Sequence, residues 1–327
     1  MTLALPTTLA RARSSVEPAL FDAVARLDPV SRRLAEYHLE AGGKAVRPAL
    51  ALLSARAVGA GETIAVPGAV AVELVHNFSL VHDDLMDGDV ERRHRPTVWA
   101  LHGAAAAILC GDAMLALATQ VLLDVGTLDA IEAARQLTAA TQELIRGQHA
   151  DLDFEQRRFV GVDECLEMAA GKTGALLACS ASIGAVLAGA SPVAVRALST
   201  YGAELGLAFQ LVDDLLGIWG DPATTGKPVG SDLRARKKSL PVAFALTDSG
   251  PASAALARWL GTEGPDSDAD IARAADLVEA AGGRAWAAEE ATRRLALAES
   301  ALRTSALDPD AVDEFVALGR FVVTRSS

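Results

Sequence analysis

Two aspartate-rich stretches constrain this chain more than any other feature. The first, His82-Asp83-Asp84-Leu85-Met86-Asp87-Gly88-Asp89, closes the apolar run Phe78-Ser79-Leu80-Val81. The second, Asp213-Asp214-Leu215-Leu216-Gly217, closes Phe209-Gln210-Leu211-Val212. On a helix Asp83 and Asp87 fall one turn apart on one face, with Asp84 beside them. Carboxylates gathered at a helix C-terminus repel one another and oppose the negative end of the macrodipole, so folding alone gives no reason to place them there. Divalent cations would remove the penalty, and Mg²⁺ at phosphate-processing sites takes hard oxygen ligands in ones and twos, with water and phosphate completing the shell. A solvated acidic turn is the alternative for either run alone. Two matched runs, each followed by basic residues, argue against it.

A formal net charge of -12 argues against a nucleic-acid or anionic-membrane surface, so an anionic substrate would have to be held by local cations and basic clusters. Cys110, Cys165 and Cys179 show no metal-ligand spacing and read as small buried residues in a reducing compartment. The start, Met1 to Pro6, lacks the basic opening and long apolar run of a signal peptide, and the expectation is a cytoplasmic protein. Thr173 to Val195 carries no charge, but its Ala, Gly and Ser content and Pro192 favour a buried core helix over a membrane span.

Apolar residues recur at three and four throughout, aromatics are only 4%, and no alternating β-branched run stands out, so the chain reads as all-α in a single domain, residues 1-327. Helices are expected over 16–27, 30–40, 47–58, 69–85, 104–123, 130–154, 162–187, 193–218, 271–281, 285–303 and 311–323. Gly42-Gly43-Lys44-Ala45-Val46-Arg47-Pro48 sets two basic side chains beside flexible backbone at a helix start. That arrangement suits a diphosphate, although such a turn is often only a solvated loop. His76 shares a helix stripe with Asp83 and Asp87 and could hydrogen-bond an anion held there. Arg92 and Arg93 follow the first acidic run as Arg234 to Lys238 follow the second. Glycines at 147, 171 and 174 lie inside helical patterns, which hints at close packing or ligand approach.

Taken together these motifs resemble the trans-isoprenyl diphosphate synthases, the polyprenyl synthetase family, over nearly the whole chain. They occur in family order: Gly-Gly-Lys-x-x-Arg-Pro at 42–48, Asp-Asp-x-x-Asp at 83–87, Arg-Arg-x-x-Pro-Thr at 92–97, Gly-Gln-x-x-Asp-Leu at 147–152, Lys-Thr-Gly at 172–174 and Phe-Gln-x-x-Asp-Asp at 209–214. The resemblance implies an isoprenoid synthase-type bundle of about ten helices around a central cavity. It also implies a homodimer, and about three Mg²⁺ ions per active site. Asp83, Asp87 and Asp213 would be metal ligands, with Asp84 and Asp214 supporting them. Arg92, Lys172, Thr173, Gln210, Lys227 and Lys237 would contact the allylic substrate or its leaving diphosphate, and Gly43, Lys44, Arg47, His76 and Arg93 the diphosphate of isopentenyl diphosphate.

The chain departs from the family pattern at Gly217, where the third aspartate of the second motif is missing, and at Arg236-Lys237, where Gly-Lys is usual. The implied activity is short-chain prenyl transfer. A terpene cyclase would have no use for the isopentenyl site, and a non-catalytic partner subunit would be expected to lose an aspartate motif. Phe78 and Ser79, one turn before Asp83, would line the path of the growing tail. An aromatic at position 78 resembles the geranylgeranyl type, so a twenty-carbon product is expected, with farnesyl diphosphate as the alternative.

Overall fold

The computed structural model describes residues 7–221, 228–262, 266–303 and 306–324. Its helices are α1 (Thr7–Val24), α2 (Pro29–Leu39), α3 (Val46–Ala57), α4 (Val66–Met86), α5 (Val98–His102), α6 (Ala104–Leu123), α7 (Leu128–Gln156), α8 (Val162–Ala169), α9 (Ala175–Leu187), α10 (Pro192–Trp219), α11 (Ser231–Arg234), α12 (Leu240–Ala245), α13 (Pro251–Leu260), α14 (Asp268–Ala280), α15 (Gly283–Arg303) and α16 (Pro309–Thr324). The all-α expectation holds. The continuous helix expected over 162–187 is interrupted by a π-turn, Ala170–Gly174, between α8 and α9. Periodicity also missed a two-stranded antiparallel ribbon, β1 (Glu91–Arg92) and β2 (Arg95–Pro96), in which Arg92 pairs with Arg95. Arg93 (φ 53°) and His94 (φ 60°) both occupy the left-handed region, as a two-residue hairpin turn of the right twist demands. Neither is the glycine or asparagine that would announce such a turn in sequence.

The chain divides into two compact units. The first comprises the chain up to Thr141 with Leu176–Gly202 and Ala301–Leu318. Here α4 packs along α6 and against α1 and α3. Leu50, Leu53, Leu74, Val75, Met114 and Leu122 are buried between them, and burying each such side chain contributes roughly 1.5–3 kcal/mol. Close packing comes from small residues: a Cβ on Gly184 would lie 2.6 Å from Ser54 Oγ, whose oxygen accepts the Ala185 N–H at 3.2 Å. The uncharged stretch that could pass for a membrane span is mostly α9, and nearly all of that helix is buried.

The second unit comprises Gln142–Ala175, Ala203–Ser300 and the chain from Gly319. One core gathers Phe154, Cys165, Met168, Leu207, Leu211 and Leu240 from α7, α8, α10 and α12. Another gathers Ile218, Leu256, Ile271 and Val278 from α10, α13 and α14. Three segments among the described residues, Glu62–Met86, Ala104–Leu123 and Val162–Leu187, are long and apolar enough to cross a membrane by length and composition. In the first and third the most apolar stretch is 67% buried inside the protein, but in α6 only 39%.

Gly184→Ala should destabilise the protein by about 1–3 kcal/mol, because the new methyl meets the Ala51 carbonyl, which cannot rotate away. Urea unfolding of the two proteins checks this. Equal midpoints would mean α9 can shift freely.

Candidate active site

In the first unit the basic turn and α4 build a pocket for an anion. Gly42 (φ +70°) and Ala45 (φ 54°, preceding α3) carry the left-handed conformations that fold the turn back, leaving Gly43 and Lys44 exposed. A Cβ on Gly43 would lie 3.7 Å from both terminal nitrogens of Arg93 and 3.8 Å from Glu73 Oε1, so the turn, the hairpin and α4 converge there. Arg47 is part-buried, and its Nε is buried without a hydrogen-bond partner. An unsatisfied buried donor on a cation costs free energy until an anion supplies the acceptor.

Burial pulls the Arg47 pKa below the ordinary arginine value, and the Glu73 charge pulls it partly back. Glu73, in turn, has its pKa raised by burial, opposed by Arg47, by Asn77 and by Arg93. Asn77 Nδ2 donates to Glu73 O at 2.8 Å and to Glu73 Oε1 at 3.3 Å. Glu73 keeps some contact with solvent through a cavity of about 170 Å³ between α1, the glycine turn and α4. His76 is held neutral well below the ordinary histidine value, first by burial and then by Arg47 and Arg93. A neutral imidazole beside two guanidiniums can still donate one hydrogen bond to an oxyanion.

The first acidic run ends α4 as the spacing requires. Asp87 is its C-cap, donating its N–H to Asp83 O at 2.8 Å. Asp87 is exposed and Asp83 half-buried, whereas Asp84 is 1% exposed. Asp84 Oδ1 accepts from Arg92 Nε at 2.6 Å and its Oδ2 is buried without a partner. Burial raises the Asp84 pKa against the pull of Arg92. Asp84 thus aims Arg92, and the accessible carboxylates of this run are Asp83 and Asp87. Phe78 is buried edge-on to His82, ring centroids 5.3 Å apart, and the His82 ring fills the space above Gly111 of α6. Ser79 is also buried, its hydroxyl donating to His76 O at 2.8 Å.

In the second unit a hydrogen-bonded chain links the π-turn to α10 and α12. Thr173 Oγ1 donates to Gln210 Oε1 at 2.9 Å, Gln210 Nε2 donates to Asp214 Oδ1 at 2.8 Å, and the Leu240 N–H donates to Asp214 Oδ2 at 2.8 Å. Asp214 is buried and its pKa is pushed up to about 6, chiefly by desolvation, while Asp213 on the same turn is exposed. Lys172 pairs with Asp151 at 2.6 Å. That pairing depends on two glycines, since a Cβ on Gly147 would lie 2.8 Å from Lys172 Cα and one on Gly171 would lie 2.8 Å from Glu143 O. The π-turn and α7 therefore touch backbone to backbone. Burial works against the charge on Lys237, yet Asp214, Asp232, Asp151 and Asp213 outweigh it and hold its pKa above the ordinary lysine value. Lys227 lies outside the described residues.

Residues 28–278 match the model of the polyprenyl synthetase family. A (2E,6E)-farnesyl diphosphate synthase of Mycobacterium bovis is 54% identical over 301 residues, 88% of this chain and 84% of the relative. The chain belongs to the polyprenyl synthetase family. A geranylgeranyl diphosphate synthase of Mycobacterium tuberculosis is 42% identical over 331 residues, covering 97% of this chain and 93% of its own. The crystal structure of a polyprenyl synthetase from Streptomyces coelicolor superposes with a TM-score of 0.94 at 53% identity, covering 98% and 99% of the two chains. Like those relatives, this polyprenyl synthetase is a short-chain trans-prenyltransferase, and members of the family depend on Mg²⁺.

Among the described residues no three Asp, Glu, His or Cys side chains converge closely enough to hold a metal by themselves. Mg²⁺ at phosphate sites needs only one or two carboxylates, the rest of its shell being substrate oxygens and water. Half-buried Asp83 and exposed Asp87 in the first unit fit that mode, as does exposed Asp213 in the second.

The structure also shows how this polyprenyl synthetase accommodates Arg236. The residue takes the left-handed conformation that glycine favours (φ 51°), held by two 2.9 Å bonds to Asp266 and by the Trp259 ring 4.3 Å away. Of the basic run only Lys237 faces the aspartates. Arg234 pairs with Asp268, and Lys238 donates to Glu155 O. Sequence reasoning missed Glu73 and His38. Glu73 is the one charge in an otherwise apolar stretch before His76, which was the available signal. His38 is 8% exposed, with its pKa down to about 4 through burial and then Arg92 and Arg93.

The unfolded chain protonates His38 near 6.5 while the folded protein resists until about 4, so this group makes stability fall as pH falls through that window, by on the order of 3 kcal/mol in all. His38→Gln should therefore lose less stability than the wild type between pH 7 and pH 4.5. Parallel urea midpoints across that range would contradict the assignment.

Proposed function

We propose that this polyprenyl synthetase condenses isopentenyl diphosphate with an allylic diphosphate and that its main product is farnesyl diphosphate. The observation that supports chain elongation is the cluster of Gly43, Arg47, His76 and Arg93 as a cationic pocket, with its unpartnered Arg47 Nε. A cyclase handles one diphosphate and needs no second cationic pocket. On this reading Lys44 adds an exposed positive charge at the entrance to the isopentenyl site.

Ionisation breaks the allylic C–O bond and sends its electron pair to the departing diphosphate. Bound Mg²⁺ supplies charge that stabilises this leaving group. In the first unit Asp83 and Asp87 would hold ions while Arg92 binds diphosphate more tightly as its charge grows; in the second unit Asp213 would hold ions, with Lys172 and Lys237 in the role of Arg92. Thr173 and Gln210 brace that half through Asp214. The isopentenyl double bond then attacks the allylic carbon, and the proton lost from the adjacent carbon goes to the released diphosphate. Apolar side chains such as Phe78 exclude the water that would quench the cation.

A fifteen-carbon product is supported by the 54% identity to the farnesyl synthase against 42% to the geranylgeranyl synthase. It replaces the twenty-carbon product suggested by Phe78 alone. The buried Phe78–His82 contact is a short wall between α4 and α6 and suits either length. A second copy of the chain is the partner we propose for the α6 face, where Ile108, Leu109 and Leu123 are exposed. We place the protein in the cytoplasm, where three buried thiols with pKa values pushed up to about 12 would stay reduced and inert.

Incubation with isopentenyl diphosphate, each allylic starter and Mg²⁺, followed by mass analysis, should give a fifteen-carbon diphosphate. Cyclic hydrocarbon or no condensation would refute the reading. Asp213→Ala should lower turnover by about two orders of magnitude or more, and near-full activity would contradict the metal-ligand role. Phe78→Ala should lengthen the product, and an unchanged chain-length distribution would remove Phe78 from the wall.

A further inference from the structure

In the first unit the end of α2 and the β1–β2 hairpin are fastened together. Tyr37 Oη donates to Pro96 O at 2.8 Å, and the Arg95 guanidinium lies 4.3 Å from the centre of the Tyr37 ring. At this seam is a cavity of about 10 Å³ whose lining includes His38, Asp84, Arg92, Arg93 and Thr97. That is close to the smallest space that holds one water molecule. Two of the lining residues carry a buried polar atom without a partner in the protein, His38 Nε2 and Asp84 Oδ2. His38 is 8% exposed and Asp84 1%, so bulk solvent does not serve them. Buried polar groups left in this way call for a ligand or an ordered water.

The hydroxyls in the cavity wall are committed elsewhere, Tyr37 to Pro96 O and Thr97 Oγ1 to Asp89 O at 2.9 Å. Both orphans are acceptors. His38 is neutral at pH 7, because burial and then Arg92 and Arg93 bring its pKa down to about 4, so one ring nitrogen carries a proton and the other a lone pair. Asn77 makes a side-chain hydrogen bond that favours an N–H on the His38 ring, which leaves the unpartnered Nε2 as the lone pair. Asp84 Oδ2 belongs to a carboxylate whose other oxygen accepts from Arg92 Nε at 2.6 Å. Two acceptors cannot bond to each other, but one water has two O–H groups and serves both.

We propose that this cavity binds one water, which donates to His38 Nε2 and to Asp84 Oδ2, and that through it His38 is a positioning residue for Arg92. The proposal rests on the synthase reading in giving Arg92 the diphosphate. A carboxylate held by one oxygen turns about its Cβ–Cγ bond, and holding the second oxygen fixes its plane. The water thereby sets the direction in which Asp84 holds Arg92 Nε, and the terminal nitrogens of Arg92 remain for the substrate. On its other side the His38 ring continues through Asn77 to Glu73, so the first acidic run and the Arg47 cluster share one hydrogen-bonded frame. His38 touches neither the substrate nor the reacting carbons.

The test uses the full-length protein. Wild-type crystals ordered well enough to place waters should show one at about 2.7–3.2 Å from both atoms, and nitrogen-resolved NMR should find His38 protonated at Nδ1. His38→Leu keeps the bulk and removes the acceptor, and should lower kcat/KM for the allylic diphosphate about tenfold. His38→Gln keeps an acceptor at the end of the side chain and should stay within about threefold of wild type. In an Arg92→Lys background His38→Leu should cost less than about threefold, because residues that act through one another are not additive. A dry cavity would overturn the proposal, as would a ring protonated at Nε2. So would a His38→Gln variant as damaged as His38→Leu, or an equal loss from His38→Leu in both backgrounds, since those mark packing and not aim. If His38→Leu does not fold, the wild-type water, the tautomer and the His38→Gln rates decide. If the wild type forms no prenyl diphosphate yet holds the water beside an Nδ1-protonated His38, the synthase reading fails and the water site stands. Its hold on Arg92 is then read from the affinity of the same variants for inorganic diphosphate with Mg²⁺.

Discussion

The opposed charges of Arg47 and Glu73, each shifted by burial and pulled back by the other, are the constraint on which the first unit's chemistry depends. A guanidinium cannot be enclosed without a counter-charge, and a carboxylate at depth cannot stay ionised without a cation. Glu73 meets both needs from α4, while Asn77 fixes its carboxyl from the next turn. Arg47 Nε is buried with no acceptor. An unsatisfied donor of this kind is costly, and the buried apolar faces of α3 and α4 around it offset that cost. His76 and His38 stay neutral beside the arginines, so the pocket gains donors without further charge repulsion.

The second unit solves the inverse problem, an excess of carboxylates around one buried cation. Lys237 holds its proton against burial because four aspartates surround it. Asp214 is spent on structure, tying Gln210 of α10 to the start of α12, and this leaves Asp213 exposed. Both aspartate motifs thus divide their labour in the same way. In each, the second aspartate turns inward to a basic or backbone donor, as Asp84 does to Arg92. Neighbours distant in sequence surround both departures: Asp232 fills the space over Gly217, and Asp266 with Trp259 holds Arg236.

Much of this was legible in the sequence because it rests on periodicity and on motifs of fixed spacing. The span expected for α6, 104–123, matches the observed helix, and the spacing of Asp83 and Asp87 places them one turn apart. What was not legible depends on contacts made across the chain. Glu73 reads as a single polar residue until the fold brings its charge close enough to act on Arg47. The hairpin at 91–96 is too short to show alternation, and its turn carries Arg93 and His94 where glycine would have signalled it. The glycines at 147 and 171 suggested a close approach, but only folding reveals that each faces the other's backbone. Chain length was read from Phe78 alone, and one wall residue cannot measure a cavity whose other walls are unplaced.

The central claim is that the first unit holds a diphosphate by its own fixed charges, independently of metal. Calorimetric titration of isopentenyl diphosphate into the wild type and Arg47→Gln in the presence of a chelator tests it directly. The account predicts saturable Mg²⁺-free binding that is lost, by about tenfold or more in affinity, when the buried guanidinium is removed. Binding that appears only when Mg²⁺ is added, or that is unchanged in Arg47→Gln, would contradict it.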